Sequence, residues 1–129
     1  TRRILGLYTL TGDDLQQNRH FVCPVGKCTH PMDIHKADSS QQTLVRLNHA
    51  PEIPHTAMIP QGPRNLIAAG RCISADRAAF ASLRVQGTLM SIGESAGVLA
   101  ALACREKCSV ADVPEEILLQ KLQDRQLVL

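Results

Sequence analysis

Apolar positions along this chain fall into three regimes of spacing, and each predicts a different kind of structure. From Arg2 to Leu10 the residues Ile4, Leu5, Leu7, Tyr8 and Leu10 alternate in part, which predicts a strand ended by Thr11-Gly12. Thr11 or Gly12 then caps a short helix, with Asp13 and Asp14 at its positive end, Leu15 as its apolar anchor and Asn18 as its stop. Between Phe21 and Arg64 the pattern loosens. Six of the seven prolines fall here, so long helices are excluded and short strands are expected, with Leu44–Leu47 and Ile53–Ile59 as candidates and the polar stretch from Lys36 to Gln42 as an exposed loop tip.

A third regime begins at Asn65. Asn65–Ala69 is a short apolar run closed by Gly70, the length and boundary of a strand buried on both faces. After a Gly-Arg turn and a polar crossing, Gly87–Cys104 has Leu89, Ile92, Ala96, Leu99 and Ala103 at helical spacing, with Glu94 its only charge. Its other faces are small. Glycine inside a helix costs about 1 kcal/mol relative to alanine, so Gly93 and Gly97 predict the close approach of a backbone or a flat ligand. Ser109 and Asp112 predict a single capped turn. Pro114 then opens an amphipathic closing helix carrying Ile117, Leu118, Leu119, Leu122 and Leu127, which is expected to pack on the long helix.

Composition changes this picture in one respect. With 129 residues and 44% hydrophobic content the chain is one domain's worth, but only 2% is aromatic, so the core must be aliphatic and poor in large side chains. That imbalance, and an opening at Thr1, predict a portion of a larger protein. A net charge of +2 without a basic stripe implies no nucleic-acid partner. The one candidate membrane segment, Leu89–Cys104, reads as too short, glycine-rich and interrupted by Glu94, so no membrane association is expected. Five cysteines without a tight framework favour a reducing compartment, and the cytoplasm is the expected location.

Four constellations could carry chemistry. Cys23, Cys28, His30 and His35 are the residue types of a zinc site, although adjacent Cys-x4-Cys and His-x4-His spacings leave little loop to wrap a tetrahedron. Asp33 and His35 share one side of a strand, either as a proton-transfer pair or as an ordinary exposed pair. Gly70-Arg71-Cys72 follows the predicted buried strand, at the edge where open α/β sheets bind ligands; Cys72 is either a reactive thiol or a buried inert one. Arg84-Val85-Gln86 immediately precedes the long helix, whose first amides and dipole suit an anionic or electron-rich ligand.

The ordered motifs NLIAAGRCIS, SLRVQ and GESAG, with YTLTGDD, PMDIH and EIP-x4-IP upstream, resemble the C-terminal part of FAD-dependent oxidoreductases of the two-dinucleotide-binding type. The resemblance implies an α/β fold: a C-terminal fragment of an FAD/NAD(P)-binding Rossmann-like domain with a few substrate-domain strands and two C-terminal helices. Residues 1–64 would be a remnant of the substrate domain and 65–129 part of the FAD-binding domain. It further implies FAD as cofactor, with Gly70, Arg71, Val85, Gln86 and Gly87 beside it, and His35 and Arg84 facing a small-molecule substrate that exchanges a hydride with the flavin.

Departures from the family pattern carry expectations of their own. None of the eight glycines forms the Gly-x-Gly-x-x-Gly turn that holds a dinucleotide's phosphates, so an N-terminal FAD-binding half is the expected partner, and self-association is expected without it. GRCISADRAAF replaces a histidine-bearing stretch of the family with Arg77 and Phe80, and His55-Thr56 stands where aromatic-basic pairs are common. Two other classes remain open on sequence: a zinc-stabilised binding module, and a non-catalytic domain whose glycine-rich helix docks a partner.

Overall fold

Proline density dictates how the first half of the chain folds. A computed structural model describes residues 2–35 and 42–126, without the side chains of His35 and Gln42; the expected loop tip from Lys36 onward and Leu127 therefore lie outside the described residues. Between the prolines run four short strands: β1 (Pro24–Lys27), β2 (Met32–His35), β3 (Gln42–Val45) and β4 (Glu52–Pro54). They pair as two antiparallel ribbons, β1 with β4 and β2 with β3. Both expected strands are shifted. The segment expected over Leu44–Leu47 pairs two residues earlier, with Met32 opposite Val45 and His35 opposite Gln42. The one expected over Ile53–Ile59 stops at Pro54, and His55–Ala57 turns into a 3-10 helix, since proline has no N–H to continue a ladder.

The N-terminal segment is irregular. In place of a strand over Arg2–Leu10, Gly6 bridges Pro60 and Leu10 bridges Ala75, while Leu5 and Leu7 point outward. Helix α1 (Gly12–Gln16) follows with the expected cap: the Thr11 hydroxyl accepts from Asp14 N at 3.1 Å and the Asp14 carboxylate accepts from Thr11 N at 2.9 Å. Asp14 is buried, which by itself raises its pKa, but hydrogen bonds from Thr11, Tyr8 and Arg19 outweigh this and hold it below the usual carboxylate value. Asn18 adopts a left-handed conformation (φ 50) just after the helix, as its role as a stop requires.

Asn65–Ala69 is corrected by the structure. It is extended chain without a ladder, with Asn65, Leu66 and Ala69 exposed, and Ala68 N donates to Met58 O at 2.8 Å. No strand ladder forms along it among the described residues, so the burial expected of a central strand is not achieved. The polar crossing also holds an unexpected helix, α2 (Arg77–Leu83). Asp76 explains it. One carboxylate oxygen accepts from Ala79 N at 2.7 Å and caps the helix, while the other accepts from Gly12 N at 3.1 Å and ties it to α1.

Helix α3 (Gln86–Glu106) is the long small-residue helix, ended by Lys107 in a left-handed conformation whose N–H bonds back to Ala103 O and Cys104 O. Its 21 residues make it long and apolar enough to cross a membrane by length and composition, which corrects the shorter reading of that segment. One stripe, Ile92, Ser95, Leu99, Leu102 and Ala103, is buried in the protein. Three hydroxyls dock it on β1: Ser91 and Ser95 both donate to Val25 O, at 3.1 and 2.9 Å, and Thr88 donates to Lys27 O at 3.1 Å. Ser109 caps the expected single turn, Val110–Asp112. Helix α4 (Glu115–Asp124) then buries Leu118 and Leu122 beside α3, each contributing about 1.5–3 kcal/mol. The architecture is thus mixed, helices with small antiparallel ribbons, compatible with α/β.

Two predictions follow from this packing. A Cβ on Gly12 would sit 2.5 Å from Ala78 Cβ, whereas one on Gly93 would meet nothing within 4 Å. Gly12→Ala is therefore expected to lower stability by about 1–3 kcal/mol, and Gly93→Ala to raise it by up to about 1 kcal/mol, in urea unfolding of the chain. A loss of stability in Gly93→Ala would show that the helix face is packed. His55 is buried, which depresses its pKa more than nearby Glu115 raises it. The folded state thus binds its proton less readily than the unfolded chain, so stability should fall as pH drops below about 6.5. His55→Gln should flatten the melting temperature across that window; an unchanged slope would contradict the assignment.

Candidate functional site

Strand β2 and helix α2 pack together and leave a pocket of about 190 Å³ between them, lined by Asp33, Ile34, Arg77, Phe80, Ala81 and Arg84. Its fixed feature is an ion pair. Arg84 terminates α2, and its Nη2 donates to Asp33 Oδ2 at 3.0 Å and to Asp33 O at 3.4 Å. Both side chains are about three-quarters enclosed, at 30% and 25% exposure, so the pair is less screened than a surface bridge. Phe80 forms the apolar wall and is itself buried. Two further guanidinium groups reach its ring, Arg3 at 5.1 Å and Arg71 at 5.9 Å from the centroid.

The start of α3 lies one residue beyond Arg84. Val85 is extended (φ −84, ψ 151) and caps the helix with no side-chain hydrogen bond, and Gln86 and Gly87 are exposed. The first-turn amides of a helix have no partner within it, so those of Gln86 and Gly87 can donate to a ligand. A Cβ at Gly87 would meet nothing within 4 Å. Gly70 opens the Gly70–Cys72 turn with φ 82, a conformation that favours glycine, and this turn packs against α3. Gly93 and Gly97 lie on the same open side of the helix as Gly87. The close approach expected at these two glycines is not made by any part of the described chain.

Sequence and structure agree unevenly on the site residues. Arg84 and the Asp33 of PMDIH, distant in sequence, are brought together. Arg71 joins them through Phe80, and Val85, Gln86 and Gly87 form the adjoining helix start. His35 ends β2 opposite Gln42, but its side chain lies outside the described atoms. Arg3 and the enclosing role of Phe80 were not read from sequence; the signal was Phe80 itself, one of only two phenylalanines and four residues before Arg84.

Of the zinc constellation, Cys23, Cys28 and His30 are described, and they are not gathered. Among the described residues no three His, Cys, Asp or Glu side chains group as metal ligands. Cys23 and Cys28 are core residues whose thiols are pushed up to about 12, chiefly by burial. His30 is exposed, its Nδ1 2.7 Å from Pro31 O. His55, which stands where the family commonly has an aromatic-basic pair, is an interior residue 3.7 Å from Glu115. Cys72 is exposed, with its Sγ donating to Ala69 O at 3.2 Å.

With this geometry in place, comparison with known proteins identifies the family. A family model described as FAD dependent oxidoreductase matches residues 1–126, and the chain belongs to that family. No curated protein and no solved structure is matched by the chain. The residues at the helix start are of a kind that fits a flavin: open amides, one glycine, Gly87, with free space beside it, and no side-chain cap.

Thiol labelling checks the placement of the cysteines. In the folded chain at mildly alkaline pH, iodoacetamide should label Cys72 and Cys104, both exposed, and spare Cys23 and Cys28. Equal labelling of all of these positions would contradict the buried, non-ligating assignment.

Proposed function

We propose that this chain is the C-terminal portion of a flavin-dependent oxidoreductase in which a small-molecule substrate exchanges a hydride with FAD. The observation that carries the reading is the adjacency of two features, the half-open Asp33–Arg84 pocket and the uncapped start of α3 with Gly87 open beside it. A family-wide requirement for FAD supplies the cofactor. When bound, the flavin supplies the hydride acceptor or donor, and the protein supplies orientation, charge and proton control.

Each residue has a stated part. The amides of Gln86 and Gly87, held by Val85 in its capping conformation, would donate to the electron-rich edge of the ring, and Gly70 and Arg71 would line its approach. Arg84, oriented by Asp33, would hold the substrate, and His35 would move a proton to or from it. Residues 1–64 would contribute to the substrate domain and 65–129 to the FAD-binding domain, as a Rossmann-like fold requires. An N-terminal FAD-binding half would provide the phosphate-binding turn and the strands that flank Asn65–Ala69, which forms no strand ladder among the described residues. The cytoplasm is the proposed compartment, and self-association is the proposed behaviour of the chain without that half.

Arg84→Ala and Gly87→Val separate the two roles in a flavin-loaded enzyme containing this chain. Arg84→Ala should lower turnover per flavin about tenfold or more while flavin content holds. Gly87→Val should reduce flavin content first, because a branched side chain obstructs the open space above the helix. Unchanged turnover per flavin in Arg84→Ala would remove the substrate-facing role. The chain by itself, titrated with FAD, should bind more weakly than micromolar; tighter binding would remove the need for a separate phosphate cradle.

A further inference from the structure

Helices α3 and α4 do not close completely on each other. Val98, Ala101, Leu102 and Arg105 stand at i, i+3, i+4 and i+7 on α3, and Lys121 and Arg125 stand four apart at the end of α4, so each set shares one face of its helix. The two faces line a single groove of about 210 Å³. At position 101 the chain has only a methyl group, exposed to solvent, so the seam is left open there. The floor is apolar, from Val98, Ala101 and Leu102, while Arg105, Lys121 and Arg125 supply three cations, and among the described residues no carboxylate lines the groove. Each cation has a carboxylate partner outside it: Arg105 bonds Glu106, Lys121 bonds Asp124 and Arg125 bonds Glu94, at 2.9 to 3.2 Å. Ion pairs this exposed are weak, and they leave donors over. Both arginines meet their partners through Nε and Nη2, so Nη1 is left to each, and Lys121 has three N–H groups for one bond.

We propose that this groove binds a short-chain amphipathic carboxylate, its alkyl chain laid on Val98, Ala101 and Leu102 and its carboxylate among the cations of Arg105, Lys121 and Arg125. A small hydrophilic anion would leave the apolar floor wet, and a neutral hydrocarbon would gain nothing from the three cations; an acid with an alkyl tail satisfies both. Size limits the tail. A cavity of about 150 Å³ accommodates benzene, so 210 Å³ holds an acid of about eight non-hydrogen atoms, the size of hexanoate. The groove begins about 18 Å along α3 from Gln86, so it is a different place from the helix start proposed to meet the flavin.

Acetate, butyrate, hexanoate and octanoate are the probes, with 1-hexanol as the uncharged control, titrated against the chain by NMR of the Val98 and Ala101 methyl groups. Hexanoate is expected to bind in about the millimolar range and to weaken with added salt. From butyrate to hexanoate the affinity should rise about fourfold per methylene, and it should level off at octanoate, where the groove is full. Ala101→Leu fills the groove and should remove the gain with chain length. Arg105→Gln and Lys121→Gln should each weaken hexanoate about threefold and leave hexanol unchanged, with unaltered melting curves showing that the fold persists. Hexanol or acetate binding as tightly as hexanoate would overturn the proposal, as would a chain-length series that is the same in Ala101→Leu. So would binding to phosphatidylglycerol vesicles without binding to soluble hexanoate, which would make a membrane surface the occupant.

Discussion

A single carbonyl organises much of this protein. Val25 O, at the centre of β1, accepts from the hydroxyls of both Ser91 and Ser95, so its two lone pairs are filled by successive turns of α3. Strand β1 pairs with β4 along one edge and is satisfied from α3 by hydroxyls instead of by another strand. The approach this needs is very close: a Cβ on Gly26 would lie 3.0 Å from Ser91 Oγ. Glycine at position 26 and serines a turn apart are therefore one device, and removing either partner would leave polar groups at the seam unpaired.

Docking α3 by one stripe determines what its remaining surface offers. With Ile92, Ser95 and Leu99 turned into the core, Gly87, Met90, Gly93 and Gly97 are left outward, and the helix begins where α2 ends. Arg84 sits at that junction. Its bond to Asp33 carries the ribbon β2–β3 to the same place, so the pocket and the helix start are positioned by the packing of α2 on β2 rather than by a flexible loop. The chain belongs to the FAD dependent oxidoreductase family, and the proposed function gives this junction its chemical meaning: open backbone for a flat cofactor on one side and a substrate pocket on the other.

Local signals in the sequence were legible where a cap or a stop decides the outcome. Thr11 and Asp14, Asn18, Ser109 and the long apolar stripe of α3 all act over a few residues, and the elements they predict are present. What sequence did not show depends on partners distant along the chain. Asn65–Ala69 has the composition of a buried strand, yet burial requires neighbouring strands, and none pairs with it here. Helix α2 was missed because Asp76 reads as part of a polar crossing until its carboxylate is seen capping Ala79. Likewise the arginines around Phe80 come from three separate segments, which no spacing rule connects.

The claim on which the account turns is that the flavin lies against the start of α3. Backbone hydrogen exchange tests it most directly, in an intact flavoprotein containing this chain, compared with and without FAD. The account predicts that the amides of Gln86 and Gly87, exposed and without a side-chain cap in the chain, slow by about tenfold or more when FAD is bound, with Arg71 in the neighbouring turn slowing as well. Exchange at Gln86 and Gly87 that is the same with and without FAD would contradict it.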